Sequence, residues 1–156
     1  LHIFVRHFNE VMEKHGVLDT VKKRNLNMRD VVNMAAMVEM EAVYAEEQPR
    51  IAGVFLKRVE IGMPIQSDTT IQYILGAQKE TITFKDTEID NPYNTYQNFG
   101  LPPGPIGSPS LSAIQAVLEP EQTDYLYFVA QNDGHHRFSR TYAEHLRAID
   151  EIYYGR

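Results

Sequence analysis

The sequence contains no cysteine. That absence excludes disulfides, thiolate metal sites and a cysteine nucleophile together. It leaves the redox compartment open, because reducing and oxidising compartments both hold cysteine-free chains. No apolar run reaches the length of a membrane span, and no secretory signal is visible. Positive charge is scarce: the formal net charge is −6, and the one short basic connection, Lys22-Lys23-Arg24, reads as solvated surface. This argues against a nucleic-acid partner. There is no G-x-G-x-x-G and no P-loop, so a nucleotide site has no support, and no H-E-x-x-H or comparable ligand spacing supports a metal. No cofactor is implied.

What remains is an ordinary globular composition. A length of 156 residues with 43% hydrophobic and 23% charged side chains fits one domain, 1–156, with a real core. Residues 1–26 form a helical lead-in. The chain begins at Leu1 rather than Met and reads as a piece of a longer protein.

The organising stretch is Asn33-Met34-Ala35-Ala36-Met37-Val38-Glu39-Met40-Glu41-Ala42-Val43. Asn27 is a plausible N-cap, which predicts a helix over 28–45. At about 100° per residue, Val31, Ala42, Ala35, Val32, Val43 and Ala36 share one apolar arc with Glu39 near its middle. Glu41 points elsewhere, among Met34, Met37 and Val38. Apolar almost all round, the helix is expected to be buried. A carboxyl in its apolar arc is costly to ionise, which is how a general acid is made. The alternative is a Glu39 paired with a buried arginine or lying at the solvent edge of the helix.

Elsewhere, residues 1–20 read as a helix with Phe4, Phe8, Val11 and Met12 at helical spacing and Gly16 as a stop. Pro49 opens another helix that ends before Gly62 and Pro64. Ile71 to Leu75 fits helix or strand, and Thr81 to Phe84 a short strand. Residues 90–96 form a turn cluster, and residues 100–109 a Pro/Gly-rich loop packed on the domain. Ser108 and Pro109 are expected to start a helix reaching Leu118. Asp124 to Ala130 is the clearest strand, turned back by 131–134 into His135 to Ser139. Thr141 and Glu144 form a capping box for a last helix to about Tyr153. The class is α+β: a buried central helix, a small antiparallel hairpin and Pro/Gly-rich loops forming a cleft.

For chemistry, Glu39 leads. The runs Gln66-Ser67-Asp68-Thr69 and Tyr93-Asn94-Thr95-Tyr96 offer hydrogen-bonding groups beside aromatics, which suits a carbohydrate. For either run taken alone, ordinary turn-forming residues are the favoured reading. Among His135, His136 and His145, the adjacent pair points to opposite faces of a strand, so at most one joins His145.

Several segments together resemble the endolytic murein transglycosylase family, also called YceG-like. They are Ala35-Ala36-Met37-Val38-Glu39-Met40-Glu41, residues 52–58 (AGVFLKR), 61–68 (IGMPIQSD), Pro92-Tyr93-Asn94-Thr95-Tyr96, 100–106 (GLPPGPI), 124–129 (DYLYFV) and 134–138 (GHHRF), with His145. They run in order over most of the chain. Met40 stands where a lysine is common in the family, and Ser67-Asp68-Thr69-Thr70 replaces the usual Thr-Asp-Pro-Thr.

The resemblance implies an endolytic enzyme acting on peptidoglycan glycan strands. It would cut the β-1,4 bond between N-acetylmuramic acid and N-acetylglucosamine and leave 1,6-anhydromuramic ends. It implies Glu39 as catalytic acid–base, Gln66, Asp68, Asn94, Tyr96 and His136 as substrate-binding positions, and no metal. It also implies an extracytoplasmic location on the bacterial cytoplasmic membrane, with cell-wall synthases as candidate partners. Family members usually carry an N-terminal membrane helix and a LysM-like region, so the chain is expected to be the catalytic portion. Two other functions stay open: a hydrolase using Glu39 with Asp68, and a non-catalytic glycan-binding module. An older family label, aminodeoxychorismate lyase, needs a pyridoxal phosphate lysine, and Lys57, Lys79 and Lys85 lie in no phosphate-cradling context.

Overall fold

The computed structural model describes residues 2–77, 79 and 81–155. Helix α1 spans His2–Lys14 and α2 spans Val17–Lys23. Gly16, at φ +70°, separates them in the left-handed region that glycine adopts without steric cost. The expected single helix to Thr20 is therefore two, of which Met12, Val17 and Val21 are buried. Leu1 and the Phe4 side chain, part of that expectation, lie outside the described residues.

Helix α3 runs Met28–Glu41, and Asn27 caps it by accepting from Arg29 N–H at 2.9 Å. Val31, Met34, Ala35, Ala36, Met37 and Val38 are all buried, so the helix is enclosed on nearly every side as its composition requires. It ends four residues before the expected 45. Ala42 is extended (φ −82°, ψ 116°), its N–H closing the last turn on Val38 C=O. The chain must reverse there, because Pro49 sits in the first turn of α4, Gln48–Glu60. A single tight turn, Ala45–Glu47, joins the two helices. Val43 consequently leaves the apolar arc and is 70% exposed.

Helices α5 (Asp68–Leu75) and α6 (Leu111–Leu118) complete the helical layer. Residues 71–75 are thus helical, and α3 packs against α4, α5 and α6. The core joins Ala35, Met37 and Val38 to Ile51, Phe55, Ile65 and Ile114. Helix α6 starts two residues later than expected: Ser110, not Ser108, is its cap, accepting from Ala113 N–H at 3.3 Å. The Pro/Gly-rich loop before it is fastened to α3. Buried Asn33 donates to Pro102 C=O at 2.7 Å and Arg29 to Pro103 C=O at 2.8 Å.

No strand forms at Thr81–Phe84. The Thr83 N–H and hydroxyl donate to the Asp86 carboxylate at 2.7 and 2.6 Å, closing a local turn that leads into Asp86–Glu88. Such side chain–backbone bonds compete directly with a sheet ladder, and Phe84 is left in solvent.

The sheet is an antiparallel hairpin of β1 (Tyr127–Ala130) and β2 (His136–Ser139), with Tyr127 opposite Ser139 and Ala130 opposite His136. It is shorter than the expected 124–130. Beyond Ser139 the chain turns at once into α7, Tyr142–Ile149, and leaves 124–125 nothing to pair with. The Thr141/Glu144 capping box is present, and the helical path continues through a wider π turn, Asp150–Tyr154. Helix α7 covers the hairpin. The α+β class holds.

Candidate active site

A cleft of about 440 Å³ opens between the C-terminal end of α3, the start of α5, the hairpin and α7. Glu41, the last residue of α3, reaches into it. Burial pushes the Glu41 carboxyl above the usual carboxylate range, and the negative charge of Asp68 adds to this. A hydrogen bond from Ser67 Oγ to Glu41 Oε1 at 2.5 Å, the charge of His136 and the Thr69 backbone N–H oppose it. Burial dominates, so the acid is held towards its protonated form.

Glu39 lies elsewhere. Its Oε2 accepts from Ser110 N–H at 3.1 Å and from Ser110 Oγ at 2.5 Å. It therefore sits beside Ser110, the cap residue of α6, where the positive end of the helix dipole favours a carboxylate, and does not line the cleft. Glu39 and Glu41 differ by two residues, about 200° around a helix, so they face opposite ways. The sequence pattern favoured Glu39 because the apolar arc around it included Ala42 and Val43, which the real helix does not contain.

Three of the expected positions, Gln66, Asp68 and Tyr96, do meet at the cleft. Tyr96 Oη donates to Asp68 Oδ1 at 2.6 Å. Burial pushes the Asp68 carboxyl up, against the pull of that bond, and raises the Tyr96 phenol well above its normal range, with Asp68 contributing. Gln66 has φ +54°, a conformation uncommon for a residue with a Cβ. It is held there by a bond from its N–H to Thr95 C=O at 3.1 Å.

Asn94 is fully buried. Its amide donates to Thr87 C=O at 3.0 Å and Ile89 C=O at 2.8 Å, and its Oδ1 accepts from Tyr96 N–H at 2.9 Å. It builds the loop that carries Tyr96 and does not line the cleft.

His136 lines the cleft with its ring fixed from behind. Nδ1 lies 2.8 Å from Glu47 Oε2, and its backbone N–H donates to the same carboxylate at 3.0 Å. Its neighbour His135 instead stacks on Tyr44 with ring centroids 4.2 Å apart, so adjacent histidines do diverge. His145 also lines the cleft, stacked on Tyr127 at 5.3 Å. Burial and the charge of Arg58 lower its pKa, and its Nδ1 has no hydrogen-bond partner among the described residues.

Arg58 from α4 was not anticipated as a site residue. Its guanidinium donates to Leu126 C=O at 2.6 Å and Ile65 C=O at 2.7 Å and lies 5.1 Å over the Tyr127 ring. It ties the two walls of the cleft together. Tyr127, Tyr142 and Tyr153 give one side of the cleft aromatic surface. The hairpin, α7 and the π turn after it, all distant in sequence from α3, bring these rings to the cleft. Among the described residues no three His, Asp or Glu side chains group as a metal site. The arrangement offers an acid whose pKa is raised by burial, a second carboxyl with a phenol donor, and aromatic faces. Such a cleft can perform proton transfer on a hydroxyl-rich substrate.

Comparison with known proteins points the same way. The pattern of the YceG-like family matches residues 1–151. The endolytic murein transglycosylase of Bacillus subtilis (strain 168) is 42% identical over 131 residues, 84% of this chain and 36% of that protein. That of Streptococcus pneumoniae serotype 2 (strain D39 / NCTC 7466) is 38% identical over 138 residues, 85% of this chain and 25% of that protein. The crystal structure of a yceG-like protein from Listeria monocytogenes superposes with a TM-score of 0.86 at 39% identity. The match covers 92% of this chain and 47% of that one. The chain thus spans about a quarter to a third of the length of these curated relatives.

Proposed function

We propose that this chain, which belongs to the YceG-like family, carries the catalytic cleft of a peptidoglycan lytic transglycosylase, and that Glu41 rather than Glu39 is its acid–base. The observation behind this reading is that Glu41 is the carboxyl of α3 that lines the cleft and is pushed towards its protonated form, while Glu39 is bonded to Ser110, the cap residue of α6. The substrate is the glycan strand of peptidoglycan, as named for the relatives, reached on the outer side of the cytoplasmic membrane.

In the reaction, Glu41 donates its proton to the glycosidic oxygen between N-acetylmuramic acid and N-acetylglucosamine. The C1–O bond breaks and positive charge develops at C1, as in glycosidases. The Glu41 carboxylate then takes the proton of the muramyl C6 hydroxyl, whose oxygen bonds to C1. The product is a 1,6-anhydro sugar, no water enters, and Glu41 ends protonated as it began. Asp68, held by Tyr96, is placed to stabilise the positive charge. Arg58 and Asn94 hold the walls.

A hydrolase in which Asp68 activates water is the second reading, and the Asp68–Tyr96 pair in the cleft favours it over a pure binding module. The deciding experiment incubates the protein with uncrosslinked glycan strands and reads the ends by mass spectrometry. Anhydro ends lie about 18 Da below hydrolysed ones. Glu41→Gln should lose roughly 10²–10⁴-fold in turnover, and Glu39→Gln should keep its activity. The reverse pattern would return the role to Glu39, and hydrolysed ends would select the two-carboxylate reaction.

A further inference from the structure

Ser67 precedes α5 in the capping position, yet its side chain caps nothing. A serine there ordinarily accepts a bond from an N–H in the first helical turn. Instead its hydroxyl points at the acid, donating to Glu41 Oε1 at 2.5 Å, with Thr69 Oγ1 2.7 Å away. The backbone of Ser67 is pinned on both sides. Its N–H donates to Thr95 Oγ1 at 3.0 Å, its C=O accepts from Thr70 Oγ1 at 2.7 Å, and the two threonine hydroxyls lie 2.9 Å apart. Ser67, Thr70 and Thr95 are each no more than 1% exposed. This buried hydroxyl cluster has one member aimed at a catalytic group, and the local helix does not need it there.

We propose that Ser67 is a positioning residue for the acid: its hydroxyl keeps Glu41 Oε1 as an acceptor, so that the catalytic proton is carried on Oε2. The inference rests on Glu41 being the acid. An oxygen that bears a proton is the poorer acceptor, so a donor fixed on one carboxyl oxygen assigns the proton to the other. When Glu41 gives up its proton the same bond becomes charge-assisted and about twice as strong. It therefore stabilises the carboxylate that forms in the first step, and it strengthens in the transition state rather than in the ground state. The other titratable or charged groups lining the cleft are Asp68 on α5, Tyr96 from the 90–96 turn, His136 on β2, Arg58 on α4, His145 on α7, and Tyr127, Tyr142 and Tyr153. All remain in a Ser67 variant, so a difference from the parent isolates the hydroxyl.

The test compares the parent with Ser67→Ala, Ser67→Cys and Ser67→Thr. It combines the pH dependence of strand cleavage with a ¹³C NMR titration of the Glu41 carboxyl, assigned by Glu41→Gln. Activity requires protonated Glu41 and falls as pH rises through its pKa. Removing a donor to the ionised form raises that pKa, so in Ser67→Ala the titration midpoint and the alkaline limb should both move up. Losing a hydrogen bond to a charged group lowers kcat about 10- to 100-fold, with KM nearly unchanged. Ser67→Thr restores both. Ser67→Cys keeps the volume with a weak donor and should behave like Ser67→Ala if the alanine variant does not fold. A parental titration curve in Ser67→Ala or Ser67→Cys overturns the inference, as does a loss confined to KM. If Glu41→Gln stays active, the acid assignment has failed instead, and the Glu41 titration still reports whether Ser67 bonds that carboxyl.

Discussion

Replacing Gly53 by alanine separates what a helix prefers from what this fold permits. Gly53 lies inside α4, where alanine is favoured over glycine by about 1 kcal/mol on helix propensity alone. A Cβ at this position falls 2.3 Å from Glu121 C=O and 3.1 Å from Thr123 Cγ2. An ordinary carbon–oxygen contact is about 3.3 Å or more, so the crossing segment must retreat by roughly 1 Å. That segment is held in place: Glu121 N–H donates to Pro49 C=O at 2.9 Å, and Arg50 grips both Glu121 carboxylate oxygens at 2.9 Å. Overpacking of this kind costs about 1–3 kcal/mol, and loss of the backbone bond about 1 kcal/mol more. Set against the propensity gain, the net loss is about 1–3 kcal/mol. For a chain of this size that lowers Tm by roughly 2–12 °C, read by circular dichroism. Gly107→Ala is the control, since its new Cβ meets nothing nearer than Met40 Sδ at 3.6 Å and should leave Tm level or slightly raised. A Gly53→Ala protein as stable as its parent would refute the close approach. The same segment continues to Leu126, whose carbonyl receives Arg58, so the variant should also weaken cleavage.

Other outcomes follow from the same geometry. Asn94→Ala deletes three hydrogen bonds at a fully buried position and should cost about 2–4 kcal/mol in chemical denaturation, with activity falling as the Tyr96 loop loosens. Glu41 should make stability depend on pH. Its folded pKa is raised, so the folded state keeps a proton that the unfolded chain releases, and stability is lost as pH climbs from about 4.5 through the folded value. Each unit of that shift is worth about 1.4 kcal/mol. Glu41→Gln should therefore raise Tm at pH 7 and leave it unchanged at pH 4. Tyr96→Phe removes the donor that opposes the burial shift of Asp68 and should raise the Asp68 titration midpoint further, checked by carboxyl NMR.

Local chemistry and short-range pattern were enough for much of this protein. Asn27, Pro49 and the Thr141/Glu144 pair start the expected helices, because a cap or a proline acts within one turn of itself. The α3 composition foretold a buried helix, and the aromatic run before Ala130 foretold a hairpin. Gln66, Asp68, Tyr96 and His136 were picked out by residue type and by family resemblance, and all four reach the cleft.

Tertiary structure decided the rest. Where α3 stops depends on the chain reversal required by α4, and the packing of α5, α7 and the hairpin around its end puts Glu41 rather than Glu39 in the cleft. Thr81–Phe84 has strand character, but the Asp86 turn takes its hydrogen-bonding groups first. Asn94 sits in the same run as Tyr96, but its amide is taken up by the backbone of its own loop while Tyr96 reaches the cleft. Arg58 and His145 line the cleft because α4 and α7 converge on it. The sequence by itself determined the elements and the chemical repertoire, since propensity, capping and periodicity are local. Only the packed fold put Glu41 in the cleft and Glu39 against Ser110 before α6, because burial and charge at a carboxyl are set by residues far away along the chain.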